Sequence, residues 1–162
     1  DNCDILVISA GSSASVRDVT GKVLDGLGEP GVILHGIAVK PGKPTIIAIA
    51  NGKPAIGLPG NPVSAMVIAR LILVPIVHYL QASRPELSAT ITAQLTRNIA
   101  STAGREDYIP VRVIRDGHQT FADPVFGKSN LIFTLVQSDG SITIPLNSTG
   151  INRGDTVQVT LH

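Results

Sequence analysis

The sequence predicts an α/β layer structure followed by a small all-β module, and three observations carry that prediction. Up to Leu80, short apolar runs alternate with longer helix-like stretches in the order strand, helix, strand, hairpin, helix. Gln81-Ala82-Ser83-Arg84-Pro85 then reads as a linker. From Leu87 onward the pattern turns to apolar alternation broken by frequent turn residues. The implied boundary places residues 1–82 in the α/β part and 83–162 in the β module.

Asp4 to Ala10 (DILVISA) is a short apolar run of the kind expected for a strand buried on both faces. The small-residue loop Gly11-Ser12-Ser13-Ala14-Ser15 follows, a connection whose backbone N–H groups could approach a phosphate. Asp18 is placed to cap a helix over Val19 to Leu27, and its functional reading is a carboxylate at a pocket mouth, able to hold Mg²⁺ or a substrate hydroxyl. Gly28 ends that helix, and Gly31 to Val39 gives the next strand. Thr45 to Ala50 and Lys53 to Leu58 flank Asn51-Gly52, the signature of a hairpin closed by a two-residue type I′ turn.

The most suggestive stretch is Gly57-Leu58-Pro59-Gly60-Asn61-Pro62-Val63-Ser64-Ala65, where the hairpin's second strand runs into a long apolar helix. Pro59-Gly60 suits the centre of a type II turn, Asn61 an N-cap and Pro62 the first helical position. The N–H groups of such a first turn, with the helix dipole behind them, form an anion site. A second Pro-Gly turn, in Lys40-Pro41-Gly42-Lys43-Pro44, falls at the same open end of the hairpin if residue 43 faces residue 60. An isolated KPGK is most simply a solvated basic turn, but its convergence with the helix start points to a phosphate or oxyanion pocket.

The helix from Pro62 to about Leu80 is apolar almost all round and is expected to be buried. Ser64, Arg70, Pro75 and His78 interrupt it, so it reads as a core helix rather than a membrane span, and Pro75 should kink it or end its regular part. In the β module, LSATITAQL, DYIPVRVIR, QTFADPVF, SITIPL and DTVQVTL are strand candidates, with turns at Asp116-Gly117, Ser138-Asp139-Gly140 and Asn152-Arg153-Gly154-Asp155.

Composition narrows the function. The hydrophobic share of 43% over 162 residues suffices for a core. Lys plus Arg number 13 against 12 acidic residues and aromatics are 3%, which leaves neither the field nor the stacking platforms that nucleic acid requires. A single cysteine, Cys3, excludes an internal disulfide framework and suits a reducing cytoplasm. The four histidines lack zinc-ligand spacing, and no GxSxG elbow occurs. His35, beside the basic turn, reads as an ordinary strand residue. A chain that opens on Asp1 and goes directly into a strand is expected to be a piece of a longer protein.

KPGKP at 40–44 followed by GLPGNPVSA at 57–65 resembles, in order and spacing, the MoeA-type molybdopterin molybdenumtransferases, a family that includes the E domain of gephyrin. Gly104-Arg105-Glu106-Asp107-Tyr108, Gly127-Lys128-Ser129-Asn130-Leu131-Ile132 and Asp139-Gly140 resemble that family's small C-terminal β-domain. The resemblance implies a partial three-layer α/β/α molybdopterin-binding domain followed by a small β-barrel-like C-terminal domain. It also implies insertion of molybdenum from molybdate into adenylylated molybdopterin, with Mg²⁺, giving molybdenum cofactor and AMP. By position, Asp18, Lys40, Pro59 and Pro62 match the family's active-site aspartate (the metal-binding candidate), lysine and loop prolines, and Ser129 matches a serine toward the same cleft. Gly11, Ser12, Ser13, Lys43, Gly60, Asn61 and Ser64 complete the expected substrate-binding set. The resemblance further implies a homodimer in the full-length protein, the piece being inactive by itself; composition and the interrupted helix set aside nucleic acid and membrane as partners, and a cytoplasmic location is expected. Departures from the pattern are Ala10 and Ser15, where glycine is common, Gly36, where many members are basic, and Pro110, where some carry arginine. Two alternatives stand beside the enzyme: a non-catalytic module that senses pterin or molybdate, and a gephyrin-like scaffold that grips a peptide.

Overall fold

The computed structural model describes residues 2–9, 14–84, 88–127 and 133–162, with side chains at 14–18 and 135 outside that description. The chain divides into two compact units, one of residues 1–37 and 42–85, the other of residues 38–41 and 86–162.

The first unit contains β1 (Leu6–Ser9), α1 (Ala14–Asp25) and β2 (Pro30–His35). After β3 (Val39–Lys40), which pairs in the other unit, come β4 (Ile46–Ala50), β5 (Lys53–Leu58) and α2 (Pro62–Leu80). The sheet runs β1-β5-β4-β2, with β1 parallel to β5 and the remaining pairs antiparallel. Helix α1 packs on β2, β4 and β5, and Leu24, Ile46, Ala48 and Ala55 form the core beneath it, joined by Leu6, Ile8 and Val32. The hairpin forms as the sequence predicts. Asn51 and Gly52 take φ of 51° and 83°, and the register runs from Ala50↔Lys53 to Ile46↔Gly57.

Several expectations are corrected. Helix α1 starts at Ala14 rather than Val19, so Asp18 lies within the helix and is not its N-cap; alanine is the strongest helix former and extends the helix ahead of Val19. The strand expected over Gly31 to Val39 splits into β2 and β3, because Gly36 takes φ 89° and turns the chain out of the first sheet. Strand β1 is not buried on both faces: it lies at the sheet edge, and Val7 is 38% exposed. Helix α2 is not a buried core helix either. Of its most apolar window only 17% is buried, and Val63, Ser64 and Ile68 are its buried residues. By length and a mean hydropathy of 2.0 it could cross a membrane. Pro75 acts as expected: the regular α-turns stop at Ile68, a π-segment spans Ala69–Leu73, and Val74–Leu80 resumes with Pro75 in its first turn.

The second unit is a small barrel built from β6 (Thr90–Leu95), β7 (Ile99–Ala100), β8 (Glu106–Asp116) and β9 (Gln119–Pro124), then α3 (Phe133–Val136), β10 (Gly140–Ile144), β11 (Gly150–Ile151) and β12 (Thr156–Leu161). The order β10-β12-β6-β9-β8 closes on itself through a second β8–β10 ladder. The long β8 makes closure possible, its first half pairing with β10 and its second half with β9. Alternate residues fill the interior, among them Ala93, Leu95, Val111, Ala122, Ile142, Ile144, Val157 and Val159. Strand β3 adds to the start of β8 in parallel. Ser138-Asp139-Gly140 runs into β10 rather than forming a free turn, whereas Asn152 to Asp155 does turn, with Gly154 at φ 88°.

Candidate functional site

In the first unit, β5 delivers the chain to α2 through a short corner. Pro59 is buried at the strand's end, Gly60 and Asn61 form bends, and Pro62 opens the helix. Gly60 is not among the glycines of positive φ, so the expected type II turn is not made. Asn61 does occupy the N-cap, with extended φ −76° and ψ 126°, and its carbonyl accepts from Ala65 N–H at 2.9 Å. Its side chain makes no capping hydrogen bond, and the first turn holds no acidic residue. An uncapped helix start without a carboxylate suits an anion. Ser64, 4% exposed, sits in that same turn.

At the same open end of the hairpin, the start of β4 is held by a buried threonine. Gly42 carbonyl accepts from Thr45 N–H at 3.2 Å and from Thr45 Oγ1 at 2.7 Å, while Thr45 carbonyl accepts from Gly36 N–H at 2.8 Å. The turn is therefore Gly42 to Thr45 rather than a type II turn centred on Pro41-Gly42, and the Lys40–Pro41 peptide is cis. Lys43, exposed, has its carbonyl bound by Ile37 N–H at 3.0 Å.

Lys40 falls in the second unit, on β3. Its Nζ lies 3.8 Å from Oδ2 of Asp107, which is wholly buried. Arg105 Nε donates to Asp107 Oδ1 at 2.8 Å, and Ser101 Oγ donates to Oδ2 at 3.0 Å. Two cations thus flank one buried carboxylate. On the other face of β8, the Tyr108 hydroxyl bonds Glu106. Burial, with Glu106 second, pushes the Tyr108 pKa well above its ordinary value.

Of the residues chosen from sequence, Lys43, Pro59, Gly60, Asn61, Pro62 and Ser64 belong to the first unit and Lys40 to the second. Gly11, Ser12, Ser13 and Ser129 lie outside the described residues, as does the side chain of Asp18. The role of Asp107 was not read from sequence, although a signal exists. Asp107, Ile109, Val111 and Val113 share one phase of an alternating strand, so a carboxylate stands where an apolar residue is expected. A separate polar groove of about 280 Å³ runs along Asn98 to Ala100 and Thr149 to Asn152 and includes none of the chosen residues.

Residues 1–79 match the family described as probable molybdopterin binding domain, and residues 92–162 match the MoeA C-terminal region (domain IV). That succession, a domain of the molybdopterin-binding type followed by a MoeA C-terminal region, defines a two-domain MoeA-type class of protein. A molybdopterin biosynthesis protein of Methanocaldococcus jannaschii is 35% identical over 98% of this chain and 36% of its own length. The molybdopterin molybdenumtransferase of Bacillus subtilis is 28% identical over 98% of this chain and 37% of its own. The crystal structure of a molybdopterin biosynthesis MoeA protein from Pyrococcus horikoshii superposes with a TM-score of 0.78 at 33% identity, covering 99% of this chain and 37% of that one. The chain belongs to the MoeA family and corresponds to the C-terminal part of these longer relatives.

Proposed function

We propose that this chain serves molybdenum cofactor biosynthesis as part of a molybdopterin molybdenumtransferase, inserting molybdenum from molybdate into adenylylated molybdopterin with release of AMP. The observation that carries the reading is the β5–α2 corner, an uncapped and carboxylate-free helix start in a unit that matches a molybdopterin-binding family. In this reading the first turn of α2, with Gly60, Asn61 and Ser64, holds a phosphate of the substrate, and Lys43 neutralises charge from the hairpin end. Pro59 and Pro62 fix the corner's backbone so that the N–H groups need not reorganise on binding. By the family resemblance, Lys40 is assigned to the oxyanion and Gly11, Ser12, Ser13 and Ser129 to further substrate contacts. Catalysis is then chiefly positioning and electrostatics.

Magnesium enters through Asp18 in the family resemblance. Among the described residues no three His, Cys, Asp or Glu side chains gather, so these residues do not by themselves make a site for it, and no step is routed through the ion. The full-length protein is read as a cytoplasmic homodimer.

The test is calorimetric titration of the full-length protein that carries this chain with adenylylated molybdopterin. Saturable binding, weakened at least several-fold by Lys43→Ala, is expected. Binding that is absent, or that the substitution leaves unchanged, would remove the corner from the substrate site.

A further inference from the structure

Resting on the reading of Lys40 as the residue that meets the substrate oxyanion, we propose that Asp107 is its positioning residue, held in turn by Arg105 and Ser101. The backbone supplies the first ground. Lys40 lies directly opposite Asp107 in the parallel β3–β8 ladder, and Glu106 N–H donates to Ala38 carbonyl at 2.8 Å. Residues directly opposite in a ladder project from the same face. Ammonium and carboxylate are thereby delivered to one side of the sheet, with Nζ 3.8 Å from Oδ2.

Exposure supplies the second ground. The Asp107 side chain is 0% exposed and that of Lys40 56%, so a rigid buried anion anchors a cation whose tip remains open to solvent. The third ground is charge. Arg105 donates from Nε to Oδ1 at 2.8 Å and from Nη2 to Oδ2 at 3.5 Å, and Ser101 adds its hydroxyl to Oδ2 at 3.0 Å. Arg105 is thus committed to the carboxylate, whereas Lys40 sits farther away and more exposed, with its ammonium open to solvent. Burying a carboxylate in the core phase of a barrel strand costs desolvation energy that an apolar side chain would avoid. A carboxylate at this position is accounted for by the cation it holds in place.

Two readouts on the full-length protein test this. In the first, Lys40 amine reactivity toward reductive methylation is followed by peptide mass spectrometry. Asp107→Asn should raise the Lys40 labelling rate several-fold while other lysines are unchanged, and an unchanged Lys40 rate would overturn the proposal. In the second, molybdate-dependent cofactor formation is measured in a double-mutant cycle. Asp107→Asn should lower kcat on the order of 10-fold with KM for adenylylated molybdopterin little changed, and should add less than about twofold in a Lys40→Ala background. Equal losses in both backgrounds would mark a purely structural role and overturn the proposal. Should Asp107→Asn fail to fold, Ser101→Ala loosens the same carboxylate and decides by the same readouts. Wild-type protein that forms no product contradicts the proposed function, and amine labelling then decides the Asp107–Lys40 link by itself.

Discussion

Gly57 and Gly52 lie on one hairpin and need glycine for different reasons. A Cβ on Gly57 would meet Ile46 Cβ and Leu24 Cδ1 at 3.2 Å and Thr20 Cγ2 at 3.3 Å, because α1 crosses β5 closely there. On Gly52 it would meet nothing within 4 Å, but φ is 83°. Gly57→Ala should therefore lower stability by about 1–3 kcal/mol through overpacking, and Gly52→Ala by about 1 kcal/mol through backbone strain, both measured by urea unfolding. Arg105→Met leaves Asp107 with Ser101 and Lys40 as partners and should cost about 1–3 kcal/mol in the same assay. Tyr108 adds a pH dependence. Its pKa is raised in the fold, so its contribution is complete below the unfolded value of 10.0 and is lost as pH rises beyond it. Stability should fall from about pH 10 upward, and Tyr108→Phe should flatten that slope.

At the scale of elements, legibility follows locality. The Asn51-Gly52 hairpin was readable because a two-residue turn of that composition determines its own geometry and hence the register from Ile46 to Leu58. The barrel strands were readable because alternation records a one-sided core. The two Pro-Gly turns were misread because the same dipeptide suits several turns, and contacts distant in sequence select among them: Gly36 bonding Thr45, and β3 leaving for β8. Strand β3 itself, two residues long, has no period to detect. For α2, the apolar residues were visible, but not that most of them lie outside the core. Pro75 illustrates the readable part, since a missing N–H and a ring clash act on the helix wherever it lies.

On the scale of the molecule, each unit has a core, yet α2 leaves Met66 54%, Val74 44%, Tyr79 83% and Leu80 44% exposed. The chain spans less than half the length of its curated relatives. Exposed apolar area of this kind drives association. The isolated chain should therefore self-associate with rising concentration in sedimentation velocity, and replacing Met66, Val74 and Tyr79 with polar residues should shift it toward monomer. The helix start within GLPGNPVSA was legible because sequence neighbours build it, whereas the partner that a barrel strand supplies to Lys40, Asp107, was not. Most direct for the account as a whole is molybdate-dependent cofactor formation from adenylylated molybdopterin by the full-length protein, with Lys40→Ala beside it. Formation by the wild type, with a loss on the order of 100-fold in the variant, is the expected result. A wild-type protein that binds the pterin but never inserts metal, or a variant of undiminished rate, would contradict it.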